Sequence, residues 1–188
     1  MNRFLCCFVL LAGLLSADAL YTQMISKKFD FKVSWSVFKA SNVAQICFSA
    51  KVPNSRYYAA IGFKEKNKKT GKFYPLMMNA DIVAGIGGLC DCVQTRTASR
   101  PVGYPGGNYI LQIYDPDFTY SRGRINVCFN RAISNPKHGN TSLTDNDLLI
   151  WAVAETGYNQ LDIGYHFKNA GNATINWLSG PKMAADEE

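Results

Sequence analysis

The chain has little of what enzymes most often work with. Histidine occurs twice in 188 residues, as His138 and His166, and neither lies near a serine or cysteine nucleophile motif in sequence. There is no Gly-x-Ser-x-Gly elbow, no His-Glu-x-x-His zinc pair, no glycine loop that would cradle a phosphate and no Cys-x-x-Cys-His attachment motif. Acidic residues are scattered, so nothing selects a pair of carboxylates for glycoside hydrolysis. Autonomous catalysis has no residues to carry it, and a non-enzyme is expected. Sustained helical periodicity, internal repeats and a nucleic-acid-binding motif are missing as well, and the last of these excludes DNA and RNA as expected partners.

Long apolar runs are also missing, with one exception at the start. Met1-Asn2-Arg3 precedes an apolar run over residues 4–15, and Ser16-Ala17-Asp18-Ala19 follows it. A basic end, a greasy centre and small residues at a cleavage point are the order of a secretory signal. The run is shorter than the roughly 20 residues a spanning helix needs, so residues 1–19 are expected to be a signal peptide removed after Ala19. No membrane span is expected downstream, and the polar tail, residues 183–188, lacks the hydrophobic end of a lipid-anchor signal. The expected product is a secreted, extracellular protein with one domain over residues 20–182, a length that suits a single full-sized core.

Four cysteines remain beyond the signal, Cys47, Cys90, Cys92 and Cys128, and an even count in an oxidising compartment favours two disulfides. Cys90 and Cys92 flank one residue. In an extended strand that spacing is about 6.6 Å with both side chains on one face, poor for bridging to each other, so each is expected to pair with a distant cysteine. A Cys-x-Cys metal site is the alternative, disfavoured by the absence of nearby histidines. Asn140-Thr141-Ser142 and Asn172-Ala173-Thr174 are glycosylation sequons at Asn140 and Asn172.

The formal charge is +6, and it stays there without residues 1–19, which carry one Arg and one Asp. Much of the excess lies in Lys64, Lys66, Lys68, Lys69 and Lys72, read with Gly71 as a solvated hairpin loop between two strands.

Strand periodicity runs through the rest. Phe29, Phe31, Val33, Trp35 and Val37 alternate with polar residues, as do Ala44, Ile46, Phe48, Ala50 and Val52, and Ile125, Val127 and Phe129. Cys47 and Cys128 fall on the polar side of their strands. Residues 57–63 form a strand rich in aromatics and small residues, in which Gly62 signals a bulge or a close approach. Over residues 78–85, Met78, Ala80, Ile82 and Ala84 share one face. Asp81 shares the other and either meets solvent or ties down a neighbouring loop. Residues 89–96 form a short strand, and residues 109–114 an extended segment that Asp115-Pro116-Asp117 breaks. Residues 148–154 read as a central strand covered on both sides, and residues 161–167 and 174–178 close the domain. About nine short strands with turns between them predict an all-β, antiparallel β-sandwich with an immunoglobulin-like two-sheet layout.

Taken together, Tyr58-Ala59-Ala60-Ile61-Gly62-Phe63, Met78-Asn79-Ala80-Asp81-Ile82-Val83, Asn126-Val127-Cys128-Phe129-Asn130-Arg131, Leu149-Ile150-Trp151-Ala152, Tyr165-His166 and the segment 171–177 resemble the DOMON domain family over about residues 33–180. The resemblance implies an extracellular β-sandwich that binds a ligand. Cytochrome-like members of that family bind b-type haem between a methionine and a histidine and pass electrons. Members attached to copper monooxygenases serve accessory roles, and others are assigned sugar or protein binding. Carried over by position, Met78 matches the family methionine and His166 the histidine, a thioether and an imidazole suited to holding haem iron without an open catalytic site. Met78 serves equally well as core filler, and alternation alone leaves open whether His166 faces it. Two functions follow: a secreted single-domain haem-binding module for electron transfer or haem carriage, or a cofactor-free module binding a glycan or an extracellular protein through loops and an exposed sheet face. A diverged accessory subunit of a copper monooxygenase is a third.

Overall fold

A computed structural model describes residues 20–67, 69–73, 80–87, 113–134, 141–156 and 169–181, together with the strand pairing of 91–97. Ten strands are present among them: β1 (Leu20–Ser26), β2 (Phe31–Phe38), β3 (Val43–Lys51), β4 (Tyr57–Lys64), β5 (Ala80–Ile86), β6 (Asp91–Thr97), β7 (Ile113–Ser121), β8 (Arg124–Ala132), β9 (Asp147–Glu155) and β10 (Ala170–Ile175). They form two antiparallel sheets of five, ordered β1-β2-β3-β8-β7 and β10-β9-β4-β5-β6. The protein is an all-β antiparallel sandwich, as the alternating patterns predict.

The inner faces make the core. Phe31, Val33, Trp35 and Val37 on β2, Ile46 and Phe48 on β3, and Val127 and Phe129 on β8 meet Ile61 and Phe63 on β4 and Leu149 and Val153 on β9. Period-two alternation put these side chains on one face of each strand, and burial of that face holds the sheets together. Trp35 and Trp177 stack edge to face with ring centroids 5.3 Å apart. The Trp35 Nε1–H donates to the Trp177 carbonyl at 2.9 Å, so the indole is buried with its polar atom satisfied.

Turn chemistry sets the registers. Arg122 and Gly123, both with positive φ (50° and 71°), form the two-residue turn between β7 and β8, the left-handed pair that matches strand twist in a tight hairpin. Asn42 (φ 55°) closes the turn between β2 and β3. In the β4–β5 connection, Asn67 Oδ1 accepts from the Lys69 and Thr70 N–H groups at 2.9 and 3.2 Å, and Gly71 (φ 66°) turns the chain towards the Lys66–Phe73 bridge.

Several expectations need correction. Cys47 and Cys128 are bonded to each other. They stand directly opposite in the β3–β8 pairing, with Cα atoms 4.0 Å apart, so neither is available as the distant partner expected for Cys90 or Cys92. Pro116 does not end a strand: β7 runs through it as the edge of its sheet, with an irregularity between Tyr114 and Asp117 that absorbs the missing N–H. Lys64 is the buried last residue of β4 rather than part of a solvated loop, whereas Lys69 and Lys72 are exposed as expected. The last strand is Ala170–Ile175, earlier than residues 174–178, and β1 carries too few apolar residues for its alternation to stand out. The segment 161–167, with Lys68 and His138, lies outside the described residues.

Candidate functional site

The two sheets differ on their outer faces. On the first, register places Thr22, Ser34, Cys47, Cys128 and Asp117 in one row across the strands. A neighbouring row holds Lys32, Ser49, Asn126 and Thr119. This face is polar. Thr22 and Ser34 hydroxyls lie 2.9 Å apart, and Asn126 Nδ2 donates to Thr119 Oγ1 at 3.1 Å.

On the second sheet the outer face carries buried apolar side chains at its centre, while Ala170, Asn172 and Thr174 on β10 are exposed. Tyr58 and Ala60 on β4, Ala80, Ile82, Ala84 and Ile86 on β5, and Ala152 and Ala154 on β9 form a second hydrophobic cluster, separate from the inter-sheet core, with Ile150 packed against it. Pairing lines up Ala170, Ala152, Ala60 and Ala84 across β10, β9, β4 and β5. Four alanines in a row make a band of short side chains crossing the sheet, about 14 Å long at the usual strand spacing, buried at Ala60, Ala84 and Ala152 and exposed at Ala170. The next row is Ile150, Gly62 and Ile82. β4 pairs with both neighbours without a register shift, so Gly62 marks a close approach. A Cβ there would lie 2.7 Å from Ile150 Cγ1 and 3.2 Å from Ile82 Cγ1, and glycine is what lets the two isoleucines lean over the strand.

Polar groups stand at either end of this face. Lys64, opposite Ala80 in the pairing, is 2% exposed, and burial pulls its pKa down to about 8. At the other end, burial raises the pKa of the Tyr58 phenol.

A separate polar cluster lies between the sheets. Asp81, fully buried on the inner side of β5, accepts from the Thr141 N–H at 2.7 Å and lies 3.9 Å from Arg131 Nη2. Arg131 donates to the Thr141 carbonyl and packs its guanidinium over the Phe63 ring at 4.2 Å. Burial lowers the Arg131 pKa to about 10, against the opposing pull of Asp81 and Asp147. Asp147, its pKa raised by burial, is held by the Thr144 N–H and hydroxyl, both at 2.6 Å. The bonds from Asp81, Arg131 and Asp147 to Thr141 and Thr144 tie that segment onto the sandwich. Asp81 is therefore a loop anchor, the second of the two roles its position allowed, and the cluster presents no nucleophile.

Met78, His166, Asn140 and Cys90 lie outside the described residues. Cys92 stands opposite Gly85 in the β5–β6 pairing. Asn172 is exposed on β10, an edge strand, and accessible to modification. Among the described residues no group of three or more His, Cys, Asp or Glu side chains is placed to hold a metal ion, and no helix is long and apolar enough to cross a membrane. Sequence reasoning overlooked Lys64, Tyr58, Arg131 and the alanine row. The available signal was the unbroken apolar run Tyr57 to Phe63, which implies burial on both faces.

No family model matches the chain, and no curated protein does. A solved structure does resemble it: the cytochrome domain of Myriococcum thermophilum cellobiose dehydrogenase, with a TM-score of 0.50, 12% identity, and coverage of 87% of this chain and 86% of that one. The likeness is one of fold.

Proposed function

We propose that the chain is a secreted, non-catalytic ligand-binding module of the DOMON kind, whose site is the outer face of the second sheet and whose ligand is b-type haem. The observation that carries this reading is the alanine row, buried at Ala60, Ala84 and Ala152, with Gly62 beside it. Strands covered on both sides normally fill the outer layer with large aliphatic side chains. Here the centre of that layer is made of the smallest ones, which suits a flat apolar body lying across the strands.

These residues fit haem as a floor: apolar, low in relief and free of carboxylates at the described outer positions of β4, β5, β9 and β10. Met78 and His166 would hold the iron, which supplies reversible one-electron chemistry when bound. In the sequence Met78 keeps the two-residue phase of Ala80, Ile82 and Ala84. Tyr58, Ala60 and Ala84 exclude water, and the Ile150–Gly62–Ile82 row flanks the alanines on one side. The solved structure that shares the fold is a cytochrome domain, which agrees with this ligand, and the Cys47–Cys128 disulfide agrees with an oxidising compartment.

Adding haem to purified protein and recording the absorption spectrum tests the proposal. A Soret band shifted from free haem, with a six-coordinate spectrum lost in both Met78→Ala and His166→Ala, is expected. An unshifted band would overturn it. Ala60→Leu, which adds bulk at the centre of the alanine row, should abolish the Soret shift while costing about 1–3 kcal/mol of stability from overpacking.

One observation favours a second reading. The outer face of the first sheet presents the hydroxyls of Thr22, Ser34, Ser49 and Thr119 and the amide of Asn126 around the disulfide, polar groups that a cofactor-free module would offer to a glycan. Glycan-array binding that survives Met78→Ala and His166→Ala but not Asn126→Ala with Thr119→Ala would support it.

A further inference from the structure

We infer that the first sheet docks a sulfated, linear glycan on the basic turns at one of its ends; this rests on the glycan reading of that sheet's outer face and names the class of glycan. The β1–β2 turn carries Lys27 and Lys28, the β7–β8 turn carries Arg122, and Lys32, Lys51 and Arg124 stand where β2 and β8 begin and β3 ends. Antiparallel pairing brings them to one end of the sheet, with Lys51 opposite Arg124, and Lys32 opposite Ser49. Six cations there meet one carboxylate, Asp30. On the facing sheet at this end, Arg56 and Glu155 pair with each other at 3.3 Å and add no net charge. At the opposite end of the first sheet, Lys39 and Arg131 are balanced by Asp115 and Asp117. The formal charge of the whole chain is +6, so its excess is concentrated at the basic end rather than spread over the surface.

Contacts within the chain leave most of this charge unanswered. Asp30 is shared: it accepts from Arg124 and lies 3.2 Å from Lys32 Nζ. Arg124 also donates to Ser49 Oγ at 2.9 Å, which fixes the guanidinium beside the polar row. Lys28 donates to the Asn169 amide oxygen at 2.7 Å, a neutral partner. Lys27, Lys51 and Arg122 are exposed and meet no carboxylate among the described residues. Like charges directly opposite on neighbouring strands are unfavourable, so a bound anion would relieve the juxtaposition of Lys51 and Arg124. Neighbouring strands lie about 4.8 Å apart, and the cations on β2, β3 and β8 form a row that a polymer with repeated anionic groups would span. Ser49, Asn126 and Thr119 make the adjoining row and offer hydrogen bonds to sugar hydroxyls. A lipid surface fits this end less well. Interfacial binding adds large apolar side chains to basic ones, and the exposed large hydrophobic residues among those described, Leu20, Met24 and Tyr114, lie outside both turns.

The experiment measures binding of the full chain to immobilised heparin and to fully desulfated heparin over a range of salt. Wild-type protein should bind heparin tighter than the desulfated polymer by roughly tenfold or more, and salt should weaken that binding. Lys51→Ser with Arg122→Ser should lose roughly tenfold, whereas Lys69→Ser with Lys72→Ser, which removes the same charge from the exposed β4–β5 connection, should change binding by less than about twofold. Equal losses in the two double variants would overturn the inference, because net charge alone would then explain retention. Equal retention on both polymers would overturn it and leave the glycan reading standing, and no retention on either would overturn both. Capture by phosphatidylserine vesicles without retention on heparin would overturn it in favour of a lipid surface. Circular dichroism identifies any variant that does not fold, and the wild-type preference for the sulfated polymer tests the inference without a variant.

Discussion

Removing the Cys47–Cys128 bond should destabilise the protein strongly. The bond joins residues 81 apart in sequence, and in the chain-entropy model a closed loop of that size lowers the entropy of the unfolded chain by an amount worth about 4.5 kcal/mol at 25 °C. Its place in the fold supports a value near that figure. β3 and β8 are neighbours in the middle of the first sheet and pair over nine positions, so the bond joins positions that the fold brings together anyway. For a domain of this size the loss corresponds to a melting temperature lower by roughly 9–18 °C. The assay is thermal and urea unfolding of Cys47→Ala with Cys128→Ala, both cysteines being replaced so that no thiol is left to exchange. Non-reducing peptide mapping of the wild-type protein should show the Cys47 and Cys128 peptides linked. A drop below about 1 kcal/mol would refute the loop-entropy reasoning, and a Cys47 peptide linked to one carrying Cys90 or Cys92 would refute the pairing.

Other outcomes follow from the charged groups. Arg131→Met removes the buried guanidinium that faces Asp81, with Lys66 still 3.8 Å from Asp147, and should cost about 3–5 kcal/mol in urea unfolding, whereas adding Asp81→Asn to it should recover part of that loss. Lys64 has a folded pKa depressed from 10.5 to about 8, so the stability it contributes is fully present above pH 10.5 and is lost as pH falls towards about 8. Wild-type protein should therefore gain on Lys64→Met by about 1–3 kcal/mol between pH 8 and 10.5, and a flat difference would contradict the burial argument. Asp147 has the opposite sign: with its folded pKa raised, its contribution is full below about pH 3.9 and is lost as pH rises through the folded value, so Asp147→Asn should gain on wild type over that acid range unless the Thr144 bonds it gives up outweigh the gain. In a eukaryotic host Asn172→Gln should remove one glycan by mass and change stability by less than about 0.5 kcal/mol, because the side chain is exposed on an edge strand.

The inner half of the sandwich was legible in the sequence because one-sided burial writes itself as alternation. β2, β3 and β8 alternate cleanly, and their polar partners, including Cys47 and Cys128, stand on the outer side as read. The disulfide partner was not legible, since strand phase gives a face and not a neighbour; only the β3–β8 register brings the two sulfurs together. Asp81 could be reduced to two roles by the cost of burying a carboxylate, and the Thr141 N–H chose between them. The run through Asp115-Pro116-Asp117 was misread because proline breaks a strand only where its N–H is needed, and an edge position is not visible from one segment.

The outer layer of the second sheet needed tertiary information for a different reason. Tyr57 to Phe63 and residues 80–86 are apolar on both faces, so alternation vanishes and a second cluster cannot be told from a longer first one. Lys64 was taken with the lysines that follow it because charge runs are usually solvated, yet the pairing with Ala80 continues β4 one residue further and carries this lysine inside. The four alanines come from four segments spread over more than one hundred residues, and no local pattern joins them.

The contrast between the two outer faces gives the competing functions separate addresses. On the two proposed readings a haem ligand would lie on the second sheet, where Ala60 and Ala152 are buried, and a glycan on the first, where Thr22 and Thr119 are exposed. The faces lie on opposite sides of the inter-sheet core and share no side chain, so substitutions on one should add to those on the other within about 0.5 kcal/mol. Ala60→Leu should abolish only the Soret shift, and Asn126→Ala with Thr119→Ala only glycan capture. If either change removed both activities, the two sheets would be coupled through the core they share, and assigning one function to each face would fail.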